Sequence, residues 1–286
     1  MSRDKAHQQY QVRDGTLVPG VTTVLSVLAK PALVPWAWKL GRDGIDLAKY
    51  VDDKADIGHL AHQMILDYFR DEKTVTDDYS KNQIDAAENA FLSFLEWAKG
   101  KRINPLMIER PLVSEVYRFG GTPDLVAEID GELAVVDFKT GRGLYEEHWI
   151  QVAGYYALLG EAMGETPAPT KAILVNIPRT EDESFVVQEK TTFGLFRHEG
   201  IFLAALSIYQ LQSEMKAEAS AIRKAAKAKA KEKKHDGKSK GGTRGKRTRK
   251  AAGDLGPGDV GGGSHIETRG DQELPGCCQE DPNKGA

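Results

Sequence analysis

"GGTPDLVAEIDGELAVVDFKTG", residues 120–141, carries two aspartates in surroundings where carboxylates are rare. Asp124 and Asp137 each border a run of apolar, largely β-branched residues that reads as buried strand. A carboxylate enters such a place only when something offsets its desolvation. Asp130-Gly131 lies between the runs, a strong signal for a two-residue hairpin loop. With 130 and 131 as the loop, residue 129 pairs with 132, and Asp124 falls directly across from Asp137. Facing residues have Cβ atoms about 4.5–5.5 Å apart on one side of the sheet. Lys139 points the same way, because strand side chains alternate with period two. Val126, Leu133 and Val135 share the aspartate face, and Leu125, Ala127, Ile129 and Val136 fill the other. That is the pattern of central strands covered on both sides.

Two readings fit this patch. Adjacent carboxylates repel and want a cation, and Mg²⁺ prefers hard oxygen ligands, commonly one or two carboxylates plus substrate phosphates. Alternatively, Lys139 forms a buried ion pair with one aspartate while the other lies exposed at a strand end. Elsewhere, residues 146–163 read as a helix with Gln151 and Tyr155 at i and i+4 on one face. A carboxamide and a phenol both suit contact with a phosphate, or could serve the core. Residues 56–69 read as an amphipathic helix with His62 beside its apolar stripe, able to ligate a metal or to hydrogen-bond in the core. Glu109 and Glu115 flank a strand expected at 107–118, and Arg142 follows the Lys-Thr-Gly turn.

Taken together these residues resemble a family. Gly121-Thr-Pro-Asp124 followed by Asp137-Phe-Lys139 is similar to the metal site of the PD-(D/E)XK nuclease superfamily. Gln151-x-x-x-Tyr155 resembles the Q-x-x-x-Y motif of its RecB-like branch, which includes AddB and phage exonucleases. Gly58-His59-Leu60-Ala61-His62 resembles that branch's G-T-x-x-H motif, with His59 where Thr is usual. The stretch "PGVTTVLSVLAKPALVPWAWKLG", residues 19–41, is similar to the start of phage-type members. The resemblance covers about residues 10–215 and implies a restriction-endonuclease-like core. It further implies that His62, Asp124, Asp137 and the carbonyl of Phe138 hold Mg²⁺ or Mn²⁺. Lys139, Gln151 and Tyr155 would join Asp124 and Asp137 in catalysis, and Glu109 falls near the family's upstream glutamate.

Composition bounds the class. No apolar run reaches 18 residues and the N-terminus is polar, so neither a membrane span nor a signal peptide is expected. The cysteines are Cys277 and Cys278 alone, which excludes both a disulfide framework and the four-cysteine iron–sulfur cluster of some relatives. Charge is uneven. Residues 1–215 hold 22 Lys and Arg against 32 Asp and Glu, net −10, while residues 216–250 hold 15 against 3, net +12. The basic stretch begins Ala/Lys-rich, which could extend a preceding helix to about residue 234. Beyond it, Gly, Ser, Lys and Arg predict disorder. Such arms bind nucleic acid by counterion release, or act as solubilising or partner-binding tails.

The expected fold is α/β: one domain, 1–215, with a mixed central β-sheet flanked by helices, then a basic and Gly-rich tail, 216–286. A helical section spans about 21–99, with turns at Pro31, Pro35 and Gly41. Strands fall near 107–118, 123–129, 133–139, 171–177 and 184–190, and Thr191 or Thr192 caps a long last helix. The function expected is a metal-dependent deoxyribonuclease in the cytoplasm, an exonuclease of phage recombination, repair or replication. DNA is the partner, and a single-strand annealing or helicase protein is a further one. A structure-selective endonuclease and a catalytically inactive DNA-binding module are the alternatives.

Overall fold

Leu125 faces Val136 and Ile129 faces Glu132, so the hairpin forms in the register expected of its loop. Asp130 and Gly131 take φ of 52° and 91°. Positive φ at both central residues is what a two-residue loop matched to strand twist requires. The Asp130 carboxylate accepts from Arg102 N–H at 3.0 Å, which helps to hold the non-glycine residue in that conformation.

The computed structural model describes residues 8–164, 168–180 and 182–239, with side chains through residue 229. The chain divides into two units, 1–227 and 228–286, and the first carries everything below except the end of the last helix. Strands β1 (Tyr10–Gln11) and β2 (Leu17–Val18) precede helices α1 (Val21–Leu25), α2 (Leu33–Arg42), α3 (Leu47–Arg70) and α4 (Lys81–Ala98). Next come β3 (Ile103–Ile108), β4 (Leu112–Ser114), β5 (Phe119–Gly121), β6 (Leu125–Ile129) and β7 (Glu132–Thr140). Helix α5 (Glu146–Ala162), β8 (Lys171–Ile177), β9 (Val186–Thr191) and α6 (Thr192–Ser239) complete the order. Asp46 caps α3 by accepting from Lys49 N–H, and Ser80 with Gln83 forms a reciprocal cap on α4. Thr191 Oγ1 accepts from Gly194 N–H at the start of α6, as expected.

The central sheet runs β3-β6-β7-β8-β9. Every neighbouring pair is antiparallel except β7 and β8, which α5 joins by a crossover. This is the expected mixed-sheet α/β architecture. One face packs Val126, Val135, Ala172 and Leu174 under α1, α5 and the first turns of α6. The other packs Leu125, Ala127, Val136, Phe138 and Ile173 under α3 and α4. The Val, Leu, Ile and Phe side chains among them each contribute roughly 1.5–3 kcal/mol when fully buried.

Several expectations are corrected. The strand foreseen at 107–118 is broken. The chain leaves the sheet after Ile108, Glu109 takes φ of 44°, and Pro111 has no N–H for a ladder. Beyond it, β4 pairs with β5 in a separate small sheet. Pro35 and Gly41 lie inside α2 rather than at turns. Pro35 falls in the first turn, where helical N–H groups lack partners anyway. Helix α3 begins nine residues before the amphipathic stretch at 56–69. Helix α6 runs past residues 215 and 234 to Ser239, each added residue contributing a backbone bond. Residues 240–286, including Cys277, Cys278 and most of the tail expected to be disordered, lie outside the described residues.

Replacing Gly131 by Ala puts a side chain on a residue at φ 91°. The left-handed region costs a non-glycine residue about 1–2 kcal/mol. Thermal unfolding of Gly131→Ala should therefore begin a few degrees below wild type. Gly160→Ala, at an exposed helical glycine with nothing within 4 Å of the new Cβ, should be neutral or stabilising.

Candidate active site

The register that sets the hairpin also sets the acids. Asp137 is one pair beyond Leu125 and Val136, and its side chain is 1% exposed. Asp124 sits at the bend before β6, between the ends of β3 and β7. Its carbonyl accepts from Glu109 N–H at 3.0 Å, and its Oδ2 accepts from Phe138 N–H at 2.8 Å. The side chain thus takes the hydrogen bond that strand pairing would otherwise supply to Phe138. Lys139 Nζ lies 2.5 Å from Asp137 Oδ2. No backbone or hydroxyl group among the described residues donates to that buried oxygen, whose partner is the ammonium.

His62 comes from the opposite face, on α3. Its Nδ1 is 3.7 Å from Asp124 Oδ2, and its ring stands edge-on to Phe138, centroids 6.3 Å apart. One turn earlier Gly58 lets the helix approach β7. A Cβ there would fall 2.6 Å from Thr140 Oγ1. Gly121 plays a similar part under α5, where a Cβ would meet Val21 and Leu158 at 2.9 Å. His59 is exposed.

On α5, Gln151 Nε2 donates to the Tyr155 hydroxyl at 2.8 Å. Burial, and then the charges of Asp137 and Asp124, make the phenol harder to ionise, so the hydroxyl stays a proton donor. The structure therefore brings His62, Asp124, Asp137, the Phe138 backbone and Lys139 together, with the Gln151–Tyr155 pair in electrostatic reach. Glu109 is tied to the site through its N–H. Its carboxylate instead pairs with Arg70 at 3.1 Å. Asp182, exposed on the connection between β8 and β9, is lowered first by its hydrogen bond with Thr180, and Arg142 adds a weaker pull.

The sequence missed the α1 side of this region. A pocket of about 100 Å³ lies between α1 and the start of α5, with Thr22, Lys30, Glu147, His148 and Gln151 in its wall. Lys30 pairs with Glu147 at 3.0 Å. His148 is held to a pKa of about 4 by burial and then by the charge of Lys139. Its place three residues before Gln151, on the same helix face, was the available signal.

Both aspartates are raised to a pKa of about 6, chiefly by desolvation and against the pull of Lys139. His62 is lowered to about 4 by burial and then by Lys139. The patch thus resists holding two bare carboxylates and one ammonium. Among the described residues no three His, Cys, Asp or Glu side chains converge as a ready metal cluster. The ammonium of Lys139 stands against the carboxylate where a cation would. The donor set nevertheless fits one hard divalent ion: two desolvated carboxylates, one of them met only by the Lys139 ammonium among the described residues, and a neutral imidazole beside them.

A sequence model described as the PD-(D/E)XK nuclease superfamily matches residues 35–240. Among solved structures, a candidate exonuclease from Eubacterium rectale is 12% identical, with a TM-score of 0.35. The match covers 52% of this chain and 64% of that one. The alkaline exonuclease LHK-Exo from Laribacter hongkongensis is 13% identical, with a TM-score of 0.31 and coverage of 73% and 93%. Likenesses this distant say nothing of the site's chemistry. No curated protein matches the chain.

Asp137→Asn should stabilise the metal-free protein, and the gain should depend on pH. A carboxyl whose folded pKa is raised gives stability that is present below its unfolded value near 3.8 and lost as pH rises through about 6. The difference between Asp137→Asn and wild type in chelator should be near zero at pH 4 and grow across that window. Above pH 6 it should be constant and worth several degrees, at about 1.4 kcal/mol per pKa unit and roughly 2–4 °C per kcal/mol. His62 feels the Asp137 charge only after burial and Lys139, so its change between the two proteins is the smaller contribution. Paired thermal melts across this range would test the sign, and a lower melting point for the variant at pH 8 would refute it.

Proposed function

The chain belongs to the PD-(D/E)XK nuclease superfamily, and from that premise we propose that it is a divalent-metal-dependent deoxyribonuclease acting from DNA ends. The observation that carries this reading is the desolvated pair Asp124 and Asp137 beside Lys139 on one face of the sheet. A purely structural role would leave two buried acids competing for one ammonium, at a cost to stability.

In this reading Asp124, Asp137, His62 and the carbonyl of Phe138 would hold Mg²⁺ or Mn²⁺. Bound there, the ion would lower the pKa of a water and polarise the scissile phosphate. The chain's own groups do the rest. The Phe138 N–H fixes the Asp124 carboxylate by occupying its Oδ2. Lys139, beside Asp137, would offset negative charge growing on the phosphate. Tyr155 accepts from Gln151, which leaves its own proton to donate to a phosphate oxygen and steer the strand into line. The raised pKa of the phenol keeps that proton in place at any working pH.

The catalytic part lies in residues 1–215 on this reading, and the basic stretch from 216 supplies nonspecific affinity for the backbone. A role in phage-type recombination, repair or replication in the cytoplasm, beside an annealing or helicase partner, follows from the resemblance of the four motifs. Among the described residues no helix is long and apolar enough to cross a membrane.

End-labelled linear DNA compared with covalently closed circles tests the mode of attack. Degradation of the linear form alone is expected, and cutting of closed circles would indicate an endonuclease. Asp137→Ala should abolish Mg²⁺-dependent hydrolysis while leaving DNA binding in Ca²⁺ largely intact; undiminished hydrolysis would reject the site. His62→Ala should lower turnover by orders of magnitude and shift the metal requirement, whereas the exposed His59→Ala should change little. Equal mild losses at both would make α3 a packing element only.

A further inference from the structure

Helix α6 is apolar on two opposite sides. One side, with Leu195, Phe202, Ala205 and Leu206, is buried in the core. The other faces solvent. Ile201, Ile208, Leu211, Met215 and Ile222 are 45–70% exposed along it, with Ala204 and Ala219 also exposed. Residues 201, 208, 215 and 222 recur at intervals of seven, the period of a seam between helices. An amphipathic surface helix needs only one apolar stripe. The second stripe runs roughly 30 Å at 1.5 Å per residue, and no packing among the described residues explains it.

The order of side chains along that stripe says what covers it. Reading outward from the midpoint between Leu211 and Gln212, Ile208 mirrors Met215, Ala204 mirrors Ala219, and Ile201 mirrors Ile222. A surface that reads alike in both directions is complementary to itself under a two-fold axis, where residue i meets j and j meets i. The mirrored alanines let two helices approach closely near each end, and the larger residues fill the spaces between.

Charge selects the same arrangement. Run antiparallel, Lys229, seven residues beyond Ile222 on the same stripe, lies opposite Gly194 of the other copy. Run parallel, Lys229 would face its own counterpart, and like charges along a seam destabilise it. Among the described residues none covers this stripe. Residues 240–286 hold only four large apolar residues, Leu255, Val260, Ile266 and Leu274, and these have no helical period. Ten such side chains from two copies, with their flanks, reach the order of 1,000 Å² that a specific interface requires.

We propose that α6 joins two copies of this chain through an antiparallel seam centred between Leu211 and Gln212. The inference does not depend on the nuclease reading. It is tested on the full chain with Cys277→Ser and Cys278→Ser in place. Sedimentation between roughly 1 and 50 μM, the range of a moderate association, should give the dimer mass. Ile208→Glu/Met215→Glu should give the monomer mass with unchanged far-ultraviolet circular dichroism.

The direction is read by disulfides. Mixing Ile208→Cys protein with Met215→Cys protein should yield cross-linked dimers under mild oxidation, and neither alone should do so efficiently. A monomer mass for the parent chain throughout that range overturns the proposal. So does a dimer that survives both glutamates, or cross-linking of each single-cysteine protein with itself. Because the disulfide arm uses small apolar-to-cysteine changes, it distinguishes these outcomes even where the double glutamate variant misfolds.

Discussion

The hydrogen bond from Phe138 N–H to Asp124 Oδ2 is the constraint around which the site is organised. It ties the end of one hairpin strand to the other at the point where the backbone ladder stops. It also fixes which way Asp124 points. From that follow the meeting of Asp124 with Asp137 on the α5 face, the ion pair of Lys139, and the approach of His62 over Phe138 from the other face. Without it a residue at a bend, outside any strand, would have no fixed carboxylate.

The site is held against its own electrostatics. Desolvation dominates the titration of both acids, and the single ammonium beside them does not restore either to ordinary carboxylate behaviour. The compensation is spread through the rest of the domain, in apolar layers on both faces of the sheet. Gly58 and Gly121 serve the same end, removing the Cβ atoms that would keep α3 and α5 from closing on the strands.

What was legible in the sequence had a short period or a local rule. The hairpin register could be read because Asp-Gly fixes the loop and side chains alternate by two. The helical placement of Gln151 and Tyr155 could be read from i, i+4 spacing, and the cap on α6 from a threonine before a helical run. What was not legible was non-local. Nothing in the residues around Glu109 says that Arg70, 39 positions earlier, will take its carboxylate. Nothing near Lys30 says that it will meet Glu147 across the α1–α5 pocket. The break after Ile108 was hidden by apolar residues on both sides of it, which read as one strand until pairing separates them. The second apolar side of α6 is plain in the spacing once the buried side is known, and cannot be told from core before that.

The two-residue loop at Asp130-Gly131 has a bearing on how this chain can vary over evolutionary time. Adding or removing one residue there slides every pair of the hairpin by one, so that Asp137 no longer meets Asp124 and one strand's buried face turns outward. The segment between α3 and α4, residues 71–80, joins two helices at the surface and carries no part of the ladder. Insertions and deletions in descendants of this gene should therefore accumulate there and be absent at 130–131. The length of the hairpin loop would be inherited unchanged even where the residues around it drift.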